Sequence, residues 1–344
     1  MTRLRAASLA LTTVALGAVA FLASGCGSLD KPALERALLD LPKNADLRAR
    51  GLQTIALEVP RTSTPGDPYR AEGVFVRIPA AAPAGRAPLA LVHGTPASLF
   101  NWTALLETEA MAPILAERDV YLLDVLGHGV TRDPGLDGPV TFQRCADYLG
   151  AFLRALELTD VCLVGNSYGG EFVWRAALDH PDVISRVVLL DASGYARPDE
   201  EFLPEEVAMR ENPLAPVGWR LNSRDRILTA LQPHFGATVG ADQLEEMYLL
   251  CANAENWHAM VDLARDENGT RADELTRLAQ PTLLIWGDRD LAYPADVVAE
   301  RFRADIPDAT LHVLGDCGHY PHEERPAKVA ARLRDFLAQP IGDR

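Results

Sequence analysis

Gly165-Asn166-Ser167-Tyr168-Gly169 sets a serine between glycines, after an apolar run and ahead of a helical pattern. A plain strand-to-helix loop needs no such arrangement. A turn sharp enough to lift a serine hydroxyl off a sheet does, because a side chain at either flank would collide with the strand or the helix. The helix that starts there also aims backbone N–H groups and a positive dipole end at the serine. The plainer alternative is a tight turn whose serine only caps the helix.

A neutral hydroxyl is a poor nucleophile, so catalysis by Ser167 requires a base. That base in turn requires a carboxylate to fix its tautomer and to stabilise the imidazolium. Five histidines compete on sequence context: His93, His128, His312, His319 and His322. His312 lies inside an apolar run, and His322 stands in a Pro-His-Glu-Glu segment that reads as the start of the last helix. For the acid, Asp191 follows one apolar run, while Asp288 and Asp290 follow another in Trp286-Gly287-Asp288-Arg289-Asp290.

The elements that must hold these groups alternate along the chain. Runs at 54–59 and 73–78 flank a Pro/Gly-rich turn and predict a hairpin. Then come short runs that are apolar on both faces: 89–92, 120–123, 161–164, 187–190, 282–286 and 310–314. A parallel sheet covered by helices demands that pattern. Helical periodicity lies between most of them: Thr141 is placed to cap one helix, and Val329, Leu333, Phe336 and Leu337 stripe the last. The interval 196–278 is too long for a crossover and carries helical pieces near 204–210, 223–231, 241–250 and 254–264. It reads as a helical cap inserted after the sixth strand, over the carboxyl ends where open α/β sheets bind ligands.

The expected fold is therefore α/β, with a mostly parallel eight-stranded sheet, helices on both faces and an inserted cap. Core segments 54–195 and 279–344 surround the cap, after a leader at 1–25 and a tether with a short amphipathic piece at 26–53. A hydrophobic share of 48% in 344 residues is enough for a full core. The net charge of −15 argues against a nucleic acid partner, which would require a basic face.

Arg3 and Arg5 precede an uncharged Ala/Leu-rich run that ends in Leu22-Ala23-Ser24-Gly25-Cys26. This resembles a bacterial lipoprotein signal peptide, which implies lipidation of Cys26, export and attachment to a membrane. Two alternatives stay open: an uncleaved spanning anchor, and ordinary cleavage after Ala18-Val19-Ala20. Of the four remaining cysteines, Cys145 and Cys162 read as buried. Cys251 and Cys317 are the one pair worth testing as a disulfide.

Three motifs join the serine turn: His93-Gly94-Thr95-Pro96 after the third strand, Asp124-Val125-Leu126-Gly127-His128-Gly129 after the fourth, and Gly318-His319 after the last. With them, everything from about residue 54 onward resembles the α/β-hydrolase superfamily in its cap-bearing branch. The resemblance implies Ser167 as nucleophile, His319 as base and Asp290 as acid, with Asp191 the position that some relatives use instead. It implies an oxyanion hole from the backbone N–H groups of Thr95 and Tyr168, each worth roughly 3 to 4 kcal/mol. It calls for no cofactor and no metal, and for a small-molecule substrate.

Carboxylic ester hydrolysis is the default activity for a serine at this turn. Dehalogenases and epoxide hydrolases of the same branch use aspartate there. Carbon–carbon bond hydrolases share a Gly-Asn-Ser-x-Gly-Gly turn and a cap, but commonly follow the histidine with tryptophan where this chain has Tyr320. A cofactor-free peroxidase and a lipid-anchored binding protein are the further alternatives. Phe100, Trp102, Trp219, Phe235 and Trp257 are candidates to line an apolar pocket.

Overall fold

The computed structural model describes residues 28–60, 68–131, 138–197, 202 and 204–340. Cys26 and the leader lie outside the described residues. Eight strands form one sheet: β1 (Gln53–Val59), β2 (Tyr69–Ile78), β3 (Leu89–Val92), β4 (Val120–Leu123), β5 (Val161–Asn166), β6 (Ile184–Leu190), β7 (Thr282–Gly287) and β8 (Ala309–Leu314). Their order is β1-β2-β4-β3-β5-β6-β7-β8. β2 pairs antiparallel with β1 and β4, and every other pairing is parallel.

Alternation along each central strand divides the core into two layers. Ala90, Val92, Leu163, Val187, Leu189, Leu284 and Trp286 face one layer, and Leu89, Leu91, Val164, Val188, Leu190, Leu283 and Ile285 the other. β8 departs from the expected two-sided burial, because it pairs only with β7 and leaves Val313 48% exposed at the sheet edge.

The longer helices are α1 (Lys31–Leu39), α2 (Phe142–Ala155), α3 (Tyr168–Asp179), α4 (Pro204–Glu211), α5 (Arg224–Leu231), α6 (Ala241–Ala252), α7 (Ala254–Asp266) and α8 (Pro326–Ala338). The Thr141 side chain accepts from the Arg144 N–H and so caps α2. Helices α2 and α3 cover the first layer, α1 and α8 the second. Helices α4 to α7 all lie between β6 and β7, around a third apolar cluster that includes Ile227, Leu231, Phe235, Met247, Met260 and Tyr320.

The amphipathic piece expected within 26–53 is the helix Lys31–Leu39, with Leu34 and Leu38 fully buried. Its entry is fastened to α7: Asn253 Nδ2 donates to the Leu29 carbonyl (2.7 Å), and the Ala254 N–H donates to Ser28 Oγ (2.8 Å). The buried Lys31 ammonium donates to the Gly129 carbonyl (2.9 Å) and to Asn256 Oδ1. Cys251 and Cys317 are both free and buried in different clusters, so the proposed pair does not form. Among the described residues no helix is long and apolar enough to cross a membrane.

Candidate active site

Ser167 lies between the end of β5 and the first residue of α3, at φ 56° and ψ −127°. That conformation lies outside the regions open to ordinary L-residues and costs on the order of 1–3 kcal/mol unless its surroundings fix it. Here they do. The Ser167 N–H donates to the Leu190 carbonyl (3.0 Å), and the Ser167 carbonyl accepts from Gly170 (2.9 Å) and Ser193 (3.2 Å). The flanking glycines are sterically required: a Cβ on Gly165 would stand 2.4 Å from the Gly169 carbonyl oxygen, and one on Gly169 2.3 Å from that of His93.

His319 Nδ1 bonds Asp290 Oδ2 at 3.0 Å, and both side chains are almost fully buried. The other Asp290 oxygen accepts from the Ala292 N–H at 2.9 Å, which orients the carboxylate. The histidine backbone is held from both sides. Its N–H donates to the His234 carbonyl (2.7 Å), and its carbonyl accepts from Asn166 Nδ2 (3.1 Å). The same Asn166 amide reaches the Leu190 carbonyl (3.1 Å), so the residue before the nucleophile ties three strand ends together.

Asp191, the alternative acid, sits beneath this pair rather than in place of it. Its Oδ1 accepts from the Gly287 N–H (2.9 Å), and ligand atoms of Asp191, Asp290 and His319 lie within 4.8 Å of one another. Burial, then the neighbouring Asp290 charge, push its carboxyl well above the usual range. Asp288 instead accepts from the Cys317 N–H (3.1 Å), a turn role.

The loop after β3 presses against the nucleophile. A Cβ on Gly94 would stand 2.7 Å from both the Asn166 carbonyl oxygen and Ser167 Cβ, so only glycine permits this approach. Two histidines hold the loop. His93 Nε2 accepts from the Val125 N–H (3.2 Å), and His128 Nε2 meets Thr95 Oγ1 (3.2 Å) while its Nδ1 meets the Leu126 carbonyl (3.0 Å). Burial, then proximity to His93, push His128 down to about 3, so it stays neutral. As the first residue of α3, Tyr168 has no intrahelical acceptor for its N–H, which is free to serve an oxyanion.

His322 bonds Asn101 and lies 4.4 Å from the Trp102 ring, fully buried and pushed down to about 3. It is structural.

A cavity of about 840 Å3 opens between the cap and the sheet, with Thr95, Ser167, Tyr168, His234, Tyr293 and His319 on its wall. Apolar residues of α4, α5 and α7 and of the segment Ala215–Leu221 supply most of the remainder. Of the five aromatics expected to line it, only Trp257 does. Phe100 and Trp102 belong to the sheet core, Phe235 stacks on Tyr320 at 4.6 Å, and Trp219 is half-buried outside the lining.

Two features escaped the sequence. His234 lies 5.9 Å, ring to ring, from His319, and burial followed by the His319 charge pushes it down to about 4. The second is a buried ion cluster where cap meets core. Glu267 takes two bonds from Arg197 (3.1 Å each), one from Tyr168 Oη (2.8 Å) and one from Tyr293 Oη (3.0 Å). No motif announces either, since their meaning comes from groups distant in sequence.

The model of the α/β-hydrolase fold family matches residues 87–326. The chain belongs to this family. It is 30% identical over 262 residues to a 2-hydroxymuconate semialdehyde hydrolase of Pseudomonas sp. (strain CF600), covering 73% of this chain and 87% of that one. To an uncharacterized hydrolase, YugF, of Bacillus subtilis (strain 168) it is 27% identical over 257 residues, or 74% and 90% of the two chains. Among solved structures, a bacterial membrane phospholipase A superposes with a TM-score of 0.66 at 23% identity, over 98% of each chain, a likeness of fold.

Proposed function

We propose that this hydrolase cleaves carboxylic esters of apolar acids through an acyl-enzyme on Ser167. The observation that carries the reading is the 3.0 Å bond from His319 to Asp290 at the wall of the same apolar cavity that Ser167 faces. Ser167 Oγ attacks the ester carbonyl carbon as its proton passes to His319 Nε2, and Asp290 stabilises the imidazolium. The oxyanion is received by the N–H groups of Thr95 and Tyr168. Collapse breaks the bond to the alcohol oxygen, which takes the proton from His319. Water then attacks the acyl-enzyme, giving its proton to His319, and the acid and free serine are released. No step calls for a metal or cofactor.

The 30% identity to a semialdehyde hydrolase supports a second reading, cleavage of a carbon–carbon bond in a vinylogous diketone. The mostly apolar cavity wall favours esters. A fluorophosphonate probe should label the wild-type chain and not Ser167→Ala. A chain-length series of p-nitrophenyl esters, run beside a vinylogous diketone, decides the substrate class. Turnover of the diketone alone would replace the ester reading. A folded wild type that the probe does not label would remove Ser167 from the chemistry and leave a binding protein.

The small residues ahead of Cys26 and the uncharged run before them support export and lipidation at Cys26.

A further inference from the structure

Six large apolar side chains are strongly exposed among the described residues, and three of them, Leu214 (70%), Val217 (40%) and Leu221 (48%), stand within eight positions. All three also line the cavity, so they form its outer lip. A soluble chain ordinarily keeps such a group covered, and clustered exposure at a pocket mouth marks a contact surface. Trp219 stands half-buried in the middle of the segment with the Arg220 guanidinium 5.0 Å from its ring, an amphipathic pair suited to a lipid interface. Arg220 and Arg226 are exposed on this part of a chain that carries a net charge of −15.

The placement of Ser28 and Leu29 says what covers this lip. Ser28 and Leu29 are bonded to Ala254 and Asn253 at the start of α7. One turn on, Trp257 Nε1 donates to the Ala215 carbonyl (2.6 Å), and its ring lies against Gly218. The same first turns of α7 therefore hold both the lip and the entry of the N-terminal segment. Cys26 is two residues before Ser28, a reach of at most about 7 Å of extended chain.

We propose that the lip Leu214–Leu221 docks into the surface of the bilayer in which the Cys26 lipid is anchored, so that long-chain esters enter the cavity directly from the lipid phase. This rests on the ester-hydrolase and lipid-anchor readings above. Leu214, Val217 and Leu221 supply the inserted apolar surface, Trp219 sits at headgroup level, and Arg220 and Arg226 meet anionic headgroups. The corresponding substrate class is a membrane-resident acyl ester.

The test uses the full chain in vesicles of phosphatidylcholine and phosphatidylglycerol, with lipids brominated at the upper acyl carbons. In a Trp257→Phe background, chosen because Trp257 is half-buried at the same lip, wild type and Ser167→Ala should both show tryptophan quenching, and Trp219→Phe should lose the larger part of it, because Trp102, Trp174 and Trp286 are fully buried. Leu214→Ser/Val217→Ser/Leu221→Ser should lose the quenching as well. It should also slow hydrolysis of the vesicle phospholipid at least tenfold more than that of soluble p-nitrophenyl acetate. No quenching, quenching that survives Trp219→Phe, or equal losses on both substrates would overturn the proposal. A quenched wild type that neither binds fluorophosphonate nor cleaves either ester would instead sink the hydrolase reading and leave the docking standing.

Discussion

Asp191 and Asp290 bring two carboxyl groups together beneath one imidazole, both fully or almost fully buried. Asp290 spends its oxygens on His319 and the Ala292 N–H, whereas Asp191 has one oxygen on the Gly287 N–H and the other without a donor. Burial, then the Asp290 charge beside it, hold the Asp191 carboxyl well above the usual carboxylate range, which favours its protonated form. Asp290→Asn should therefore lower turnover by roughly ten-thousand-fold, the scale seen when a triad aspartate is neutralised. Asp191→Asn keeps a donor toward Asp290 and should cost about tenfold or less. A steady-state assay of both variants checks this, and the reverse ranking would move the acid to the end of β6.

The same proton gives Asp191 a signature in stability. Its folded pKa is raised, so its favourable contribution is present below the ordinary carboxyl range near 4 and is lost as pH rises toward the folded value. Asn cannot titrate. The stability of Asp191→Asn relative to wild type should accordingly climb as pH rises above about 4, as read from urea unfolding at several pH values. A pH-independent difference would mean that Asp191 is ionised in the native state.

Gly94→Ala tests the oxyanion loop through shape alone. The new Cβ would overlap the Asn166 carbonyl and Ser167 Cβ, forcing the loop and its Thr95 N–H outward. The expected loss is about a hundred- to a thousand-fold in turnover, that of one oxyanion donor, with only a modest fall in the unfolding midpoint. Unchanged fluorophosphonate labelling would show that the Thr95 N–H plays no part.

Glu267 is the hub of the cap–core ion cluster. Glu267→Ala leaves the buried Arg197 with Glu206 as its remaining carboxylate partner and takes the acceptor from the Tyr168 and Tyr293 hydroxyls, and should cost about 3–5 kcal/mol. Tyr168→Phe removes one bond to a charged group and should cost about 1.5–3 kcal/mol while leaving the Tyr168 N–H in place. Unfolding curves rank the two. A larger loss of turnover in Glu267→Ala than in Tyr168→Phe would indicate that the cluster also seats the cap over Ser167.

Cys26→Ser should block lipidation and leave either the precursor or a product cut elsewhere. Fatty-acid labelling followed by mass spectrometry of the N-terminus distinguishes the outcomes. A mature wild-type chain that begins at Phe21 without lipid would indicate ordinary secretion.

The sheet was legible because its strands are apolar on both faces and its turns carry unmistakable residues: the glycines around Ser167, the loop from His93 to Pro96, and Gly318-His319. Those features are local. The choice of acid was less so, since Asp191 and Asp290 follow adjacent strands, and the distinction lies in which oxygen meets Nδ1 of His319. His234 and Glu267 were silent, because each matters only through partners that the fold delivers from elsewhere in the chain. The aromatic guesses mostly failed for the same reason: a large ring suits a dry core as well as a pocket, and Phe100 and Trp102 went to the core.

The contacts of Lys31 join residues 225 positions apart. During synthesis the Lys31 ammonium can meet the Gly129 carbonyl early, but its Asn256 acceptor is made only with α7, after six of the eight strands. Loop closure over such a span is slow and late, and the cap it fastens encloses Ser167. The nascent polypeptide thus spends most of its elongation without a finished pocket, and a shortened chain that ends before Asn256 would leave the Lys31 ammonium without its Asn256 acceptor.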